Sequence, residues 1–214
     1  VYGLSAAPLA RRLGLASANP QGCLIVGGGA FAQALAKAPT EAKLSVVLMD
    51  TNRQSVTKAR LAGIRAVLGS AIGADAEERL PLGGIGRILA MTPNDEVNAL
   101  AAVHFRELFG RAEIYQLAPS GVSAKEETSS NLRGRYLFHE EARFADLERR
   151  TAKGARVAST PLTEEFGLED YLALHGEKVL PLFRLNEAGR LTVFVAAEKP
   201  NANPGDRIIG LMDV

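Results

Sequence analysis

The stretch that most constrains this chain runs from Cys23 to Asp50, CLIVGGGAFAQALAKAPTEAKLSVVLMD. A short apolar run, Leu24-Ile25-Val26, meets Gly27-Gly28-Gly29 at once. The alanine-rich residues 30–38 favour helix, because alanine loses no side-chain freedom there. Pro39-Thr40 predicts the end of that helix. Residues 45–49 form a second apolar run, and Asp50 closes it. Strand, glycine turn, helix, strand and acid in that order describe a βαβ unit, whose two strands must lie parallel.

Each residue in the turn has a physical reason to be there. Gly27 lets the chain reverse sharply after the first strand, and Gly29, without a Cβ, lets backbone N–H groups approach a phosphate closely. The helix beginning near Ala30 aims its free N–H groups and positive dipole end at that phosphate. The third position of the pattern is Ala32, where a small residue serves close helix–strand packing. Asp50 follows at the end of the second strand, where a carboxylate accepts hydrogen bonds from ribose hydroxyls and repels a 2′-phosphate. The pattern is a dinucleotide-binding fingerprint that favours NAD or AMP over NADP. The competing reading is a glycine turn in an α/β domain that has lost its ligand.

The rest of the composition is permissive. Of 214 residues, 47% are apolar, ample for a core. A formal net charge of +1 demands neither nucleic acid nor an acidic partner. The single cysteine, Cys23, permits no internal disulfide, which fits a reducing compartment, and reads as a small core residue. No apolar run reaches the ~18 residues of a membrane span, and the first residues do not read as a signal peptide. Residues 1–15, VYGLSAAPLARRLGL, are apolar and end in Arg11-Arg12. They read either as the cytoplasmic exit of a membrane helix or as an amphipathic arm packed on the domain. Residues 16–21 form a linker.

From Leu24 onward strand and helix alternate. Helices are expected over 54–61, 74–80 and 94–109, and strands over 64–68, 87–91 and 113–117. This predicts an α/β fold, a doubly wound parallel sheet of Rossmann type, with its ligand crevice at the C-terminal strand ends. Gly27, Gly28, Gly29, Asp50, Ser70 and Thr92 all fall at those ends. Thr92-Pro93-Asn94-Asp95 also reads as a plain helix start, with Thr92 as N-cap. In the helix that follows, Val97, Leu100, Ala101, His104 and Leu108 share one face, and Ala102, Phe105 and Phe109 another. A helix apolar on two faces predicts a partner, so a homodimer through residues 94–109 is expected, with Phe105 and Phe109 in the interface. His104 reads as a packed histidine. His139-Glu140-Glu141 is a weak metal candidate, since adjacent residues do not share a helix face, and no metal ligands are assigned. Residues 118–133 are polar and irregular, an edge strand is expected at 136–138, and a charged helix over 140–153. After Gly154, strands over 156–160, 179–185, 190–196 and 207–212, with a hairpin turn at Asn186–Gly189, predict a small α+β lobe. The expected division is 1–21 membrane-proximal segment and linker, 22–153 nucleotide-binding domain, and 154–214 C-terminal lobe.

The series IVGGGAFAQALA, VVLMD, AVLGSA and ILAMTPNDEVNALAA resembles the nucleotide-binding domains of RCK, KTN or TrkA-N type that regulate potassium channels and transporters. The second half, with EEFGLEDYLALHGEKVLPLF and PGDRIIGL, is similar to a divergent form of the small lobe that accompanies such domains. The first fifteen residues resemble the end of the last membrane helix of monovalent cation:proton antiporters. The resemblance implies a regulatory domain, not an enzyme, at the cytoplasmic face of the inner membrane. It would be covalently linked to a sodium/proton-type antiporter and would sense NAD(H) or an AMP-like adenine nucleotide. Many members carry aspartate where this chain has Ser70, which supplies a hydroxyl but no charge. The candidate cofactor-binding set is Gly27, Gly28, Gly29, Ala30, Phe31, Asp50, Thr51, Asn52, Ser70, Ala71, Met91 and Thr92. A soluble NAD-dependent oxidoreductase is the alternative. It needs a proton donor beside the nicotinamide, and none of His104, His139 and His175 has a recognisable catalytic setting.

Overall fold

A strand apolar on every residue is buried on both faces, and β1 (Gly22–Val26) is such a strand. In the computed structural model, which describes residues 20–120 and 133–214, it sits at the centre of a six-stranded sheet. β2 (Val46–Asp50), β3 (Ala66–Leu68), β4 (Ile85–Ala90), β5 (Ile114–Gln116) and β6 (Arg135–Tyr136) complete it in the order β3-β2-β1-β4-β5-β6. Every pair in it is parallel. The order reverses between β1 and β4, the position at which open α/β sheets hold their ligands.

Side chains alternate between the two faces with the period of a strand. Cys23, Ile25, Val46 and Leu48 face α1 (Ala30–Glu41) and α2 (Arg53–Leu61). Leu24, Val26, Val47 and Met49 pack with α3 (Ala76–Arg79), α4 (Asp95–His104) and the connection between α4 and α5 (Arg106–Phe109). Burial of the Cys23 thiol pushes it up to about 12, against the opposing pull of the Arg87 charge.

α6 (Phe144–Ala152) leads to a second sheet of β7 (Arg156–Pro161), β8 (Val179–Leu185), β9 (Leu191–Val193) and β10 (Arg207–Met212). It is antiparallel, ordered β7-β10-β8-β9. One side packs Leu182, Phe183, Leu191, Val193, Ile209 and Leu211 into the same core as β1 and α1. The register shift between Ile209 and Gly210 lets Leu182 and Phe183 both reach it. The other side packs Ile208 and Val179 against Tyr171 of α7 (Leu168–His175).

Several boundaries differ from the sequence expectation. α1 runs through Pro39 to Glu41, because a proline in the last turn forfeits only one bond there. The helix expected over 94–109 is interrupted at Phe105, the hinge between α4 and α5. Phe105 is core and stacks on Phe109 at 5.9 Å, whereas Leu100, Val103 and Leu108 are exposed. The expected strand over 136–138 is β6, followed by a Leu137–Val195 bridge that joins the two sheets. There Phe138 adopts φ 66°, costly for a bulky side chain. Its ring packs edge-on against Phe31 and Phe183. The arm over 1–15, most of the linker and residues 121–132 of the polar connection lie outside the described residues. Among the described residues no helix is long and apolar enough to cross a membrane.

Tyr171 supplies a test of the second core. It is fully buried, and its hydroxyl meets no hydrogen-bond partner among the described residues. A Cβ on Gly210 would lie 2.5 Å from that hydroxyl, so nothing larger than glycine fits beneath it. Tyr171→Phe removes an unpaired buried donor and should raise stability by about 1 kcal/mol in urea unfolding. A loss of that size would reveal a partner for the hydroxyl.

Candidate functional site

Four strand ends converge on one cleft of about 480 Å³. Gly27 leaves β1 at φ +109°, its N–H donating to Met49 O at 2.9 Å. A Cβ there would stand 2.5 Å from Met91 O, so the turn and the close approach of β4 both require glycine. Gly27, Gly28 and Gly29 line the cleft from β1, and Asp50, Thr51 and Asn52 from β2. Ser70 and Ala71 line it after β3, and Met91 and Thr92 after β4. Of the twelve candidate residues, ten are thus brought together. Ala30 and Phe31 are not among the lining residues. The Phe31 side chain is core, and both backbone N–H groups point to a carboxylate of the same chain.

That carboxylate belongs to Glu148. Its Oε2 accepts from Ala30 N at 3.1 Å and its Oε1 from Phe31 N at 2.9 Å. The second acid is Asp50, half-buried at the end of β2. Asp50 Oδ2 accepts a short bond from Gly28 N, 2.5 Å, and Oδ1 accepts from Asn52 N at 2.6 Å. One carboxylate therefore ties the glycine turn to the start of α2. Asn52 caps α2, its Oδ1 accepting from Gln54 N and Ser55 N.

On the far wall, buried Asn98 fixes Thr92. Asn98 Oδ1 accepts from Thr92 N at 2.9 Å and lies 2.8 Å from Thr92 Oγ1, while Asn98 Nδ2 donates to Thr92 O at 3.0 Å. The N-cap of α4 is Asn94, not Thr92, with Oδ1 accepting from Glu96 N and Val97 N. Asparagine two residues further on takes the cap because the strand-end geometry of Thr92 is already spent on Asn98. Ser55, Ile72, Pro93, Asn94, Val97 and Phe144 also line the cleft. Phe144 carries no local sequence signal for this role. It arrives from α6, far along the chain.

No lysine or arginine lines the cleft among the described residues, so an anion there would be held by backbone N–H groups. Among the described residues no set of three or more His, Cys, Asp or Glu side chains could hold a metal ion. His139 Nδ1 accepts from Glu141 N at 3.2 Å. His104 lies 3.8 Å from Glu77 and stands edge-on to Phe105, away from the cleft.

Residues 23–126 match the family model of the TrkA-N domain. The TrkA-N match covers just under half of the chain, from β1 past β5, and contains every strand end that lines the cleft. No curated protein matches the chain. Similar solved structures include the NAD(P)-binding domain of an exopolyphosphatase-related protein from Archaeoglobus fulgidus. It is 18% identical with a TM-score of 0.45, over 61% of this chain and 92% of that one. The TrkA-N domain of the inner membrane protein ybaL from Escherichia coli is 22% identical with a TM-score of 0.39, over 47% of this chain and 73% of that one. The GsuK channel bound to NAD is 14% identical with a TM-score of 0.45, over 97% of this chain and 41% of that one.

Proposed function

We propose that this chain is a regulatory module that binds an adenine nucleotide, NAD(H) or AMP, in the cleft between β1 and β4. The observation that carries the reading is Asp50, whose carboxylate faces the glycine turn from the end of β2, in the one cleft where four strand ends meet. A ribose there meets an acceptor for two hydroxyls, and the apolar Met91 and Val97 flank space for a base. In this reading the module sits at the cytoplasmic face of the inner membrane and is linked to a sodium/proton-type antiporter. Its nucleotide biases transport through unequal affinity for two arrangements of the domain.

The alternative is an NAD-dependent oxidoreductase. The described residues lining the cleft include no histidine, lysine, tyrosine or cysteine to relay a proton, which favours the regulatory reading. Isothermal titration of ligand-free protein with NAD, NADH, AMP and ATP should give saturable binding for at least one. No heat with any of them sinks the proposal, and hydride transfer at about 1 s⁻¹ or faster would move the chain to the enzymes.

A homodimer belongs to the same proposal, with a corrected face. Because Phe105 is core, the apolar residues open to a second copy on this helical segment are Leu100, Val103 and Leu108. The double variant Leu100→Glu, Leu108→Glu should sediment as a monomer where the parent sediments as a dimer. A monomeric parent at tens of micromolar, roughly where a ~1 µM affinity would saturate, would remove the dimer from the proposal.

A further inference from the structure

The helix terminus beside the cleft already holds an anion, in a groove that shares Gly28, Gly29 and Ser55 with the cleft. α1 is a twelve-residue helix with no acidic residue in its first turn and no side-chain cap at Gly29. Its first N–H groups would otherwise await a phosphate. Instead they bind both oxygens of Glu148, a residue 118 positions away in sequence. Gly29 serves this contact as it would serve a phosphate. A Cβ there would lie 2.4 Å from Glu148 Oε1 and 3.4 Å from the Phe144 ring.

α6, which carries Glu148, is anchored on its other side to the second sheet. Leu147 is buried in the shared core. Arg150 pairs with Asp213 at 2.8 Å and donates to Lys178 O at 3.2 Å. Lys37 and Lys58 line the groove beside Glu148, outside the cleft proper. Glu148 is thus a connection between the glycine turn and the C-terminal lobe, made through the same N–H groups a pyrophosphate would use.

We infer that Glu148 occupies a phosphate subsite adjoining the nucleotide cleft at Gly28 and Gly29, so that a phosphate group binds there only by displacing it. The inference rests on the nucleotide reading for its biological ligand, but the competition is a property of the helix terminus. Two anions cannot share the same two donors, and their mutual repulsion adds to the exclusion. A nucleoside without phosphate leaves the Glu148 contact intact. A phosphorylated one breaks it, removing a polar tie between α6 and the start of α1 while the apolar core they share stays in place. That gives the cleft a route by which a nucleotide, but not its nucleoside, alters the C-terminal lobe.

The test compares the parent with Glu148→Ala and Glu148→Gln, each titrated with NAD, AMP, adenosine and inorganic pyrophosphate. Glu148→Ala should tighten NAD, AMP and pyrophosphate by about threefold to tenfold, the scale of a partly buried charge at a helix N-terminus, and leave adenosine unchanged. Glu148→Gln, which keeps the shape and removes the charge, should gain in the same order by less, and it carries the test if the alanine variant does not fold. Nucleotides that bind the parent and bind both variants no tighter overturn the competition while the nucleotide reading stands. Pyrophosphate that gains on Glu148→Ala while no nucleotide or nucleoside binds upholds the competition and removes the nucleotide reading. Silence from every probe on every protein removes both. Equal gains for adenosine and AMP would also overturn the inference, because they would mean that Glu148 obstructs the whole cleft.

Discussion

Arg87→Met should destabilise the folded chain by about 2–4 kcal/mol, read from the denaturant midpoint at unchanged slope. Arg87 is 3% exposed in β4, at the face where the two sheets meet. Its Nη1 donates to Leu191 O in β9 at 2.6 Å, and its Nη2 to Gln21 Oε1 at 3.2 Å. Gln21 Oε1 also accepts from Leu191 N at 2.9 Å, so arginine and glutamine together satisfy both backbone groups of one buried residue. Nε stands 3.4 Å from Glu113. Methionine keeps the apolar stem but ends short of the guanidinium, so the loss combines the polar contacts with the buried space the guanidinium leaves. The Leu191 carbonyl is left dry and unpaired, which costs more than a lost surface bond. Glu113 is partly exposed and returns to water, which keeps the cost below that of a stranded buried pair. Glu113→Gln should accordingly cost less than about 1 kcal/mol. An Arg87→Met protein as stable as its parent would show that the two sheets are held by apolar packing alone.

Arg87 also marks where the sequence stops being informative. The parallel sheet was readable because β1, β2 and β4 are apolar on consecutive residues and the intervening helices are not. The turn was readable because Gly27 and Asp50 carry local constraints, a backbone conformation and a strand-end carboxylate. An arginine at the start of an apolar run reads as a strand boundary, and only the second sheet, more than one hundred residues later, makes it buried. Glu148 is hidden for the same reason. It lies in a charged helix among Arg149 and Arg150, where a solvated face is the simplest account, and nothing nearby points to Ala30 and Phe31. The two apolar faces read on residues 94–109 failed differently. Periodicity identifies which residues share a face, but Ala101 and Ala102 let the helix lie close to the sheet, so Phe105 fills the core and Leu100 turns outward.

Asp50→Ala should weaken NAD and adenosine by about 1.5–3 kcal/mol, and should not weaken inorganic pyrophosphate on the Glu148→Ala background. The charge-assisted bonds to ribose hydroxyls are the contribution being removed, and pyrophosphate has no ribose. From its position alone, a strand-end acid would be expected to matter little to the unliganded fold. The structure changes that expectation. Asp50 bonds Gly28 N and Asn52 N at 2.5 and 2.6 Å, so its removal frees two backbone donors at the glycine turn. Because the group is half-buried, water can replace part of what is lost, and the unliganded protein should lose about 1–2 kcal/mol. Binding and stability must therefore be measured on the same samples, with affinities read well below the unfolding midpoint. A 2′-phosphate supplies the complementary test. The Asp50 carboxylate repels it, so the parent should prefer NAD to NADP, and Asp50→Ala should narrow that preference by losing NAD affinity without losing NADP affinity. An Asp50→Ala protein that binds NAD and adenosine as tightly as the parent, with its preference against NADP intact, would take Asp50 out of the ribose site and leave it as a brace for the turn.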